Sequence, residues 1–306
     1  MIRKSEDQKM EVMPQRGVLL IDKPAGMTSH DVVARVRRVF GLRRVGHAGT
    51  LDPEATGLLI VAIGNITRLI DLYQEKPKSY VGEVVFGTET DSYDSTGKVV
   101  AHYDMPALTE ELLASVADRF RGDILQYPPI VSALKVQGKR LYQYHRDSED
   151  VVIKARKVHI SSFEYQLIDS ATIQISVVCS PGTYIRSIAH DLGVALGGGA
   201  HLRNLRRVSS GDFSVEQAVS LENIQPSTVL APKDAFRGID TIGISGEQLA
   251  KVRNGMKVEF ESGLGGEVIV FDKTMGALTM WEQVVGLYKR ESGQIYKAGV
   301  ILPPIN

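Results

Sequence analysis

The sequence predicts an α+β fold that ends in a small β-barrel module. Apolar runs rich in β-branched residues are mixed with amphipathic helical patterns, and no regular βαβ repeat connects them. From about residue 246 the pattern changes to short β-rich runs separated by glycines, such as EVIVF and VVGLYKR. For a chain of 306 residues we therefore expect a loose leader at 1–16, one large domain at 17–245 and a small module at 246–306.

The first elements have clear local signals. GVLLI at 17–21 predicts a strand, because it is apolar and ends at the turn-forming stretch DKPAG. Thr28 and Ser29 are helix-capping residue types, and valines at helical spacing extend a predicted helix to about Phe40. LLIVAIG at 58–64 is apolar on both faces and predicts a buried strand.

Later elements follow the same rules. YVGEVVFG at 80–87 and ATIQISVVCS at 171–180 predict strands, and Thr109 caps a predicted helix between them. A PGT turn leads into the helical stretch YIRSIAHDLGVALG, whose apolar stripe recurs at helical spacing. Residues 126–158 alternate aromatic and basic side chains around a Pro-Pro break, which favours a protruding, substrate-facing insertion. The apolar stripe of the predicted helix YIRSIAHDLGVALG consists of Ile185, Ile188, Ala189 and Leu192.

Charge and composition limit the function classes. The 36 basic and 36 acidic residues balance, which argues against a general polyanion binder but leaves room for a local basic surface. Arginines cluster in RVRRVFGLRR at 35–44 and RNLRR at 203–207. No apolar run approaches the roughly 20 residues that cross a bilayer, and the polar start lacks a signal-peptide core. With a single cysteine, Cys179, no internal disulfide can form, and we expect a cytoplasmic protein.

One unusual loop remains after the common catalytic motifs are excluded. The chain has no phosphate-binding P-loop, no dinucleotide fingerprint, no GxSxG elbow and no metal-ligand spacing among its histidines. GHAGTLDPEATG at 46–57 places Asp52 among glycines, either as an ordinary surface turn or as a catalytic carboxylate beside a large substrate. A redox-neutral reaction without cofactor or metal, on a polyanionic substrate, fits this inventory.

Six stretches then carry a resemblance to a known family. In their order and spacing they resemble the motifs of the TruB family of tRNA pseudouridine-55 synthases, in the bacterial stand-alone form, and they cover most of residues 17–214. The stretches are GVLLIDKPAGMTSHDVV, GHAGTLDPEATGLL, KSYVGEVVFGTETDSYDSTG, PPIVSALKVQGKRLYQY, PGTYIRSIAHDLG and HLRNLRRVSSGDF.

The resemblance implies an architecture and a reaction. It implies a catalytic domain on a large mixed, mainly antiparallel sheet with flanking helices, an RNA-binding insertion at about 126–158, and a PUA-like module at the C-terminus. It also implies isomerisation of one uridine in the tRNA T-loop, position 55, by base flipping and without a cofactor. The expected partner is the tRNA T-arm, for a monomer that needs no obligatory protein partner and no membrane.

The resemblance also assigns site residues. Asp52 matches the catalytic aspartate, Arg186 the arginine that pairs with it, and Tyr80 the tyrosine that lies on the target base. Tyr184 matches a second active-site aromatic residue and Leu205 an apolar wall of the pocket. Whether Asp52 attacks C1′, attacks C6 or removes a ribose proton to give a glycal stays open.

Other matched residues concern RNA and the support of the loop. His47 matches the histidine that enters the T-loop as the base flips out, where a planar side chain offsets part of the lost stacking. Lys23 and Pro24 match the first motif, and a role in supporting the Asp52 loop is at least as well founded as contact with RNA. The arginine clusters, Arg206 among them, become candidates for phosphate contacts.

Three alternatives remain. Guide-RNA-dependent pseudouridine synthase subunits share similar aspartate loops, but they depend on partner proteins and usually carry extended basic tails. With no evident long tail and no full-sized terminal module in this sequence, we expect stand-alone action. A protein that mainly binds and refolds tRNA would use the same surface, and loss of Asp52 would separate the two functions. A hydrolase of glycosidic bonds needs a second positioned acid, and no partner carboxylate stands out.

Overall fold

The computed structural model describes residues 13–275 and 280–304, which contain eighteen strands and seven α-helices joined by short 3-10 turns. The strands are β1 (Gly17–Lys23), β2 (Val45–His47), β3 (Thr56–Ile63), β4 (Lys78–Phe86), β5 (Thr88–Thr90), β6 (Val99–His102), β7 (Gly122–Gln126), β8 (Lys135–Val136), β9 (Lys139–Arg140), β10 (Arg156–Asp169), β11 (Thr172–Cys179), β12 (Ala200–Ser210), β13 (Phe213–Ser214), β14 (Asp240–Ile244), β15 (Val258–Glu259), β16 (Glu267–Asp272), β17 (Val284–Ser292) and β18 (Ile295–Ile301). The helices are α1 (Ser29–Phe40), α2 (Asp71–Gln74), α3 (Glu110–Ala117), α4 (Leu141–Arg146), α5 (Ile185–Ala195), α6 (Pro232–Ala235) and α7 (Gly246–Arg253).

A nine-stranded sheet forms the centre of the molecule. Its main order is β1-β3-β12-β4-β11-β10-β7, with β2 paired to β3 and β13 paired to β12. Among the described strands of this sheet only β3 and β12 run parallel, at Thr56 and Gly57 opposite Arg206 and Arg207. The predicted α+β class with a large mixed, mainly antiparallel sheet is therefore confirmed.

The two helices that flank the site begin where the sequence predicts. Thr28 and Asp31 form a capping box at the start of α1, and Gly41 ends the helix in the left-handed conformation, with φ of 65°. In α5 the predicted apolar stripe is buried against the central sheet. Gly193 lies so close to β12 that an added Cβ would be 2.4 Å from the Ala200 nitrogen, so this helix packs directly on the strand.

The C-terminal strands form a separate half-barrel sheet, with the order β14-β16-β17-β18-β15. Side chains from both sheets share one buried apolar cluster, in which Trp281 packs against Phe236. Arg16, at the end of the predicted leader, is buried, and its guanidinium donates to the carbonyl oxygens of Glu282 at 2.9 Å and Pro303 at 3.3 Å. Residues 1–12 of that leader lie outside the described residues, and the domain boundaries stay a prediction.

Residues 126–158 contain the β8–β9 hairpin and α4, and the segment runs into β10. Several of its side chains are exposed, including Tyr127, Tyr142 and Val152. No helix in the described part of the chain is long and apolar enough to cross a membrane.

Candidate active site

The loop that carries Asp52 is fixed by buried polar contacts on both sides. Lys23 is fully buried, and its ammonium group donates to the carbonyl oxygens of Pro24 at 2.9 Å, Met27 at 2.6 Å and Pro53 at 2.8 Å. These contacts tie the first motif to the residue that follows Asp52, which favours a supporting role for Lys23. Burial lowers the pKa of Lys23 to about 8.

A serine and two glycines complete the loop's geometry. The Ser29 hydroxyl accepts from the Leu51 amide at 2.9 Å and donates to the Leu51 carbonyl oxygen at 3.2 Å. Gly57 has φ of 100°, and a Cβ there would lie 2.3 Å from the Arg207 carbonyl oxygen. Gly49, with φ of 91°, packs against Lys78 and Arg207. The loop therefore needs glycine at these positions for conformation and for close approach to β12.

Asp52 and Arg186 form the ion pair that the resemblance implies, although 134 residues separate them in sequence. Arg186 Nε lies 2.9 Å from Asp52 Oδ2, and Nη2 donates to Oδ1 at 3.2 Å. The arginine side chain is almost fully buried, whereas 40% of the aspartate side chain remains exposed. The carboxylate is thus held by a buried cation and still open to a substrate.

Arg186 also contacts two segments far from the Asp52 loop. Its Nη1 donates to the Ser92 carbonyl oxygen at 2.9 Å and to the Val131 carbonyl oxygen at 3.0 Å. Asp94 Oδ2 lies 3.6 Å from Nε on the same guanidinium. Sequence analysis did not assign Asp94 to the site, although this residue lies in the acidic stretch TETDSYD at 88–94 and within the matched motif KSYVGEVVFGTETDSYDSTG.

Two cavities meet at this ion pair, and Asp52, Arg186 and Leu205 line both. The smaller, of about 170 Å³, also contains Asp94 in its wall. The larger, of about 590 Å³, includes Tyr80. The structure therefore brings the predicted carboxylate, arginine and leucine to one junction.

The two predicted tyrosines both line the larger cavity. Tyr80 lies in β4 between Val177 and Arg207, and burial raises the pKa of its phenol. Tyr184 precedes α5, and the buried side-chain amide of Gln126 makes two hydrogen bonds to its backbone. Gln126 Oε1 accepts from the Tyr184 amide at 2.8 Å, and Gln126 Nε2 donates to the Tyr184 carbonyl oxygen at 3.0 Å. Gln126, which sequence analysis did not single out, thus fixes Tyr184 at the base of the insertion.

His47 lies in β2, opposite Val61 of β3. Burial lowers the pKa of its imidazole, and the nearby charge of Arg207 lowers it further. A neutral ring is therefore favoured near pH 7.

The second arginine cluster is largely engaged within the protein. Arg206 forms a two-pronged ion pair with Asp22, at 2.8 Å and 3.0 Å, and Arg203 pairs with Glu83 at 2.6 Å. Arg207 is buried and donates to the Leu58 carbonyl oxygen at 2.7 Å. Their guanidinium groups organise the strands around the site, whereas Arg35 and Arg38 on α1 are exposed.

Cations also line the larger cavity. Lys78, Arg156 and Arg207 belong to its wall, and burial lowers the pKa of Lys78 to about 8. Cys179 is buried nearby, and burial raises the pKa of its thiol to about 11, so the residue packs as a protonated side chain. In the part of the chain that the structure describes, no group of three or more metal-ligating residues is found.

The mixed sheet carries a half-exposed aspartate paired with a buried arginine at a cavity lined by cations and tyrosines, and this arrangement has the features of an enzyme active site. The chain belongs to the TruB family of pseudouridylate synthases. The model of the family's N-terminal domain matches residues 37–185, and that of the tRNA pseudouridylate synthase B C-terminal domain matches residues 186–238.

Individual relatives agree with this assignment. The tRNA pseudouridine synthase B of Lactobacillus gasseri is 37% identical, over 94% of this chain and 98% of its own. The protein of the same name from Mycobacterium tuberculosis is 45% identical, over 70% of this chain and 74% of its own. Among solved structures, a Cbf5-Nop10-Gar1 complex matches with a TM-score of 0.69 and 26% identity, over 95% of this chain and 86% of that chain.

Proposed function

We propose that the protein converts uridine 55 in the T-loop of tRNA to pseudouridine, and that Asp52 is the catalytic carboxylate. As a TruB family member, it is an isomerase that acts on uridine in tRNA. The observation that carries the residue assignment is the half-exposed Asp52 carboxylate, which is held by buried Arg186 where the two cavities meet.

The reaction needs a carboxylate that stays ionised. The C1′–N1 bond breaks, the uracil turns, and C1′ bonds to C5, which loses its proton while N1 gains one. No oxidant or reductant is required. The guanidinium of Arg186 stabilises the ionised form of Asp52 through charge and hydrogen bonding. The carboxylate then acts as nucleophile or as base.

The other predicted residues fit around this centre. Tyr80, kept as a phenol by its raised pKa, lies against the target base, and Leu205 forms the apolar wall beside it. Tyr184 supplies a second aromatic surface, positioned by Gln126. His47, as a neutral planar ring, fills the space that the flipped base leaves in the T-loop.

We propose that the enzyme works alone, as a monomer in the cytoplasm where tRNA is modified. The relatives with 37% and 45% identity are named tRNA pseudouridine synthase B. The guide-RNA-dependent alternative is less favoured, because the likeness to the Cbf5-Nop10-Gar1 complex is at only 26% identity, below that to the tRNA pseudouridine synthase B relatives.

Tritium release from C5-labelled uridine in an unmodified tRNA tests both parts of this proposal. Pseudouridine and uridine have the same mass, so release of the C5 label is the direct readout. We expect release by the wild type and by Asp118→Asn, which makes the same chemical change at an exposed carboxylate. We expect none from Asp52→Asn, while tRNA binding persists. A wild type that binds tRNA without releasing tritium would instead support the tRNA-binding alternative.

A further inference from the structure

A tyrosine outside both cavities lies in a second loop that contacts Arg186. This loop, residues 91–98, presents the Ser92 carbonyl oxygen and the Asp94 carboxylate to the guanidinium. Tyr93 lies between these two residues and has φ of 61°. A tyrosine in the left-handed region is strained, so neighbouring contacts must hold it there.

Two kinds of contact hold Tyr93. Its carbonyl oxygen accepts from the Leu202 amide at 3.0 Å, and the Leu202 carbonyl oxygen accepts from the Ser95 amide at 2.9 Å, which attaches the loop to β12. Its ring stacks on the imidazole of His190, with centroids 4.0 Å apart and planes 14° from parallel. The backbone contacts attach the loop to β12, and the stack holds the Tyr93 ring against α5.

His190 lies on the same helix as Arg186, four residues further along, which is about one helical turn. Its Nδ1 lies 3.3 Å from Glu89 Oε1, and Glu89 Oε2 accepts from the Tyr103 hydroxyl at 2.7 Å. Glu89 of β5 thus lies beside the imidazole, and Tyr103 holds the glutamate in place. One helix thus contacts the loop twice, through Arg186 inside the site and through His190 outside it.

We propose that Tyr93 is a positioning residue, whose stack on His190 holds the 91–98 loop so that Ser92 and Asp94 face Arg186. The inference rests on the proposed roles of Asp52 and Arg186. When the stack is lost, the strained tyrosine backbone relaxes and the loop turns away from the guanidinium. Arg186 then keeps its contacts to Asp52 and Val131 but loses those to Ser92 and Asp94. Its guanidinium is therefore no longer held in one orientation against the Asp52 carboxylate.

Variants at position 93 separate the ring from the backbone. Tyr93→Phe keeps the stack and is the matched control. Tyr93→Gly removes the ring and leaves a residue that adopts φ of 61° without strain, so the loop loses the stack and gains backbone freedom, and the melting temperature reports whether the variant folds. His190→Ala removes the stack from the other side, and His190→Phe restores an aromatic partner without the contact to Glu89.

The measurements are single-turnover tritium release at saturating enzyme, the Kd for unmodified tRNA and the melting temperature. We expect Tyr93→Gly and His190→Ala to release tritium about tenfold more slowly, with tRNA Kd within twofold of the wild type. Tyr93→Phe and His190→Phe should stay within twofold in rate. A rate unchanged in Tyr93→Gly, or a fall matched by an equal loss of tRNA affinity, would overturn the inference. A wild type that releases no tritium would overturn the proposed function as well.

Discussion

Replacing Lys23 by methionine tests whether the buried ammonium group holds the Asp52 loop. Methionine has nearly the same length but donates no hydrogen bond, so the carbonyl oxygens of Pro24, Met27 and Pro53 lose this donor together. A buried acceptor left without a partner costs about 1–3 kcal/mol. Pro24 and Pro53 are exposed residues, so water partly replaces the lost donor and the lower end of that range applies.

Three such contacts at about 1 kcal/mol each give a gross loss of about 3 kcal/mol. Relief from burying a charge offsets part of this loss, so we expect the free energy of unfolding to fall by about 2 kcal/mol. For a protein of this size the melting temperature then falls by about 4 °C. We also expect the single-turnover rate of tritium release to fall about tenfold, because the loop gains freedom around Asp52.

The control is Lys233→Met, the same change at an exposed lysine on α6. It should leave both the melting temperature and the rate unchanged. The reasoning is refuted if Lys23→Met melts within 1 °C of the wild type, because the loss of three hydrogen bonds, even with partial replacement by water, should cost more than that. A lower melting temperature with a normal rate would refute only the link between the contacts and the Asp52 geometry.

Three further predictions concern charge. Arg186→Lys should slow single-turnover tritium release by about 100-fold, because one ammonium group cannot serve both Asp52 oxygens and two carbonyl groups; a rate within threefold of the wild type would contradict this. The folded-state pKa of Lys23 is about 8 against 10.5 for an exposed lysine, so between these values the unfolded chain binds more protons. The free energy of unfolding of the wild type should therefore rise relative to that of Lys23→Met between about pH 8 and 10.5, and the difference between the two should be constant below pH 8. Urea unfolding at several pH values measures this difference, and a difference that stays constant across the whole range would disprove the prediction. Arg38→Ala should lower the slope of log Kd against log salt for tRNA by about 0.7–0.9, whereas Arg206→Ala, whose charge Asp22 already balances, should leave it unchanged.

The parts of the fold that the sequence predicts are those with a local cause. The valine spacing and the Thr28 cap specify α1 within a dozen residues, and the glycines around Asp52 mark a loop that needs positive φ. The family resemblance adds the pair of Asp52 with Arg186, which no local pattern contains. These predictions agree with the structure because each depends on short-range geometry or on a matched motif.

The strand β12 shows what local patterns miss. Its residues AHLRNLRRVSS are rich in arginine, asparagine and serine, which carry little strand preference, and only its position between β3 and β4 makes it a central strand. Its register shifts between Arg203 and Arg206, where Asn204 has φ of 53°. Such a bulge redirects a side chain, and here Leu205 lines both cavities.

The same dependence on distant contacts explains why Asp94 and Gln126 escaped notice. No local pattern specifies the contact that either residue makes, because Asp94 lies against Arg186 in α5 and Gln126 binds Tyr184 just before α5. Tyr184 and the first two turns of α5 therefore contact the Asp52 loop, the 91–98 loop and the base of the insertion. Because Arg186 donates to the Val131 carbonyl oxygen near that base, a displacement of this segment would reach the guanidinium that pairs with Asp52. If the insertion binds tRNA as proposed, Arg186 is the residue at which a mutation should affect both substrate binding and the rate of tritium release.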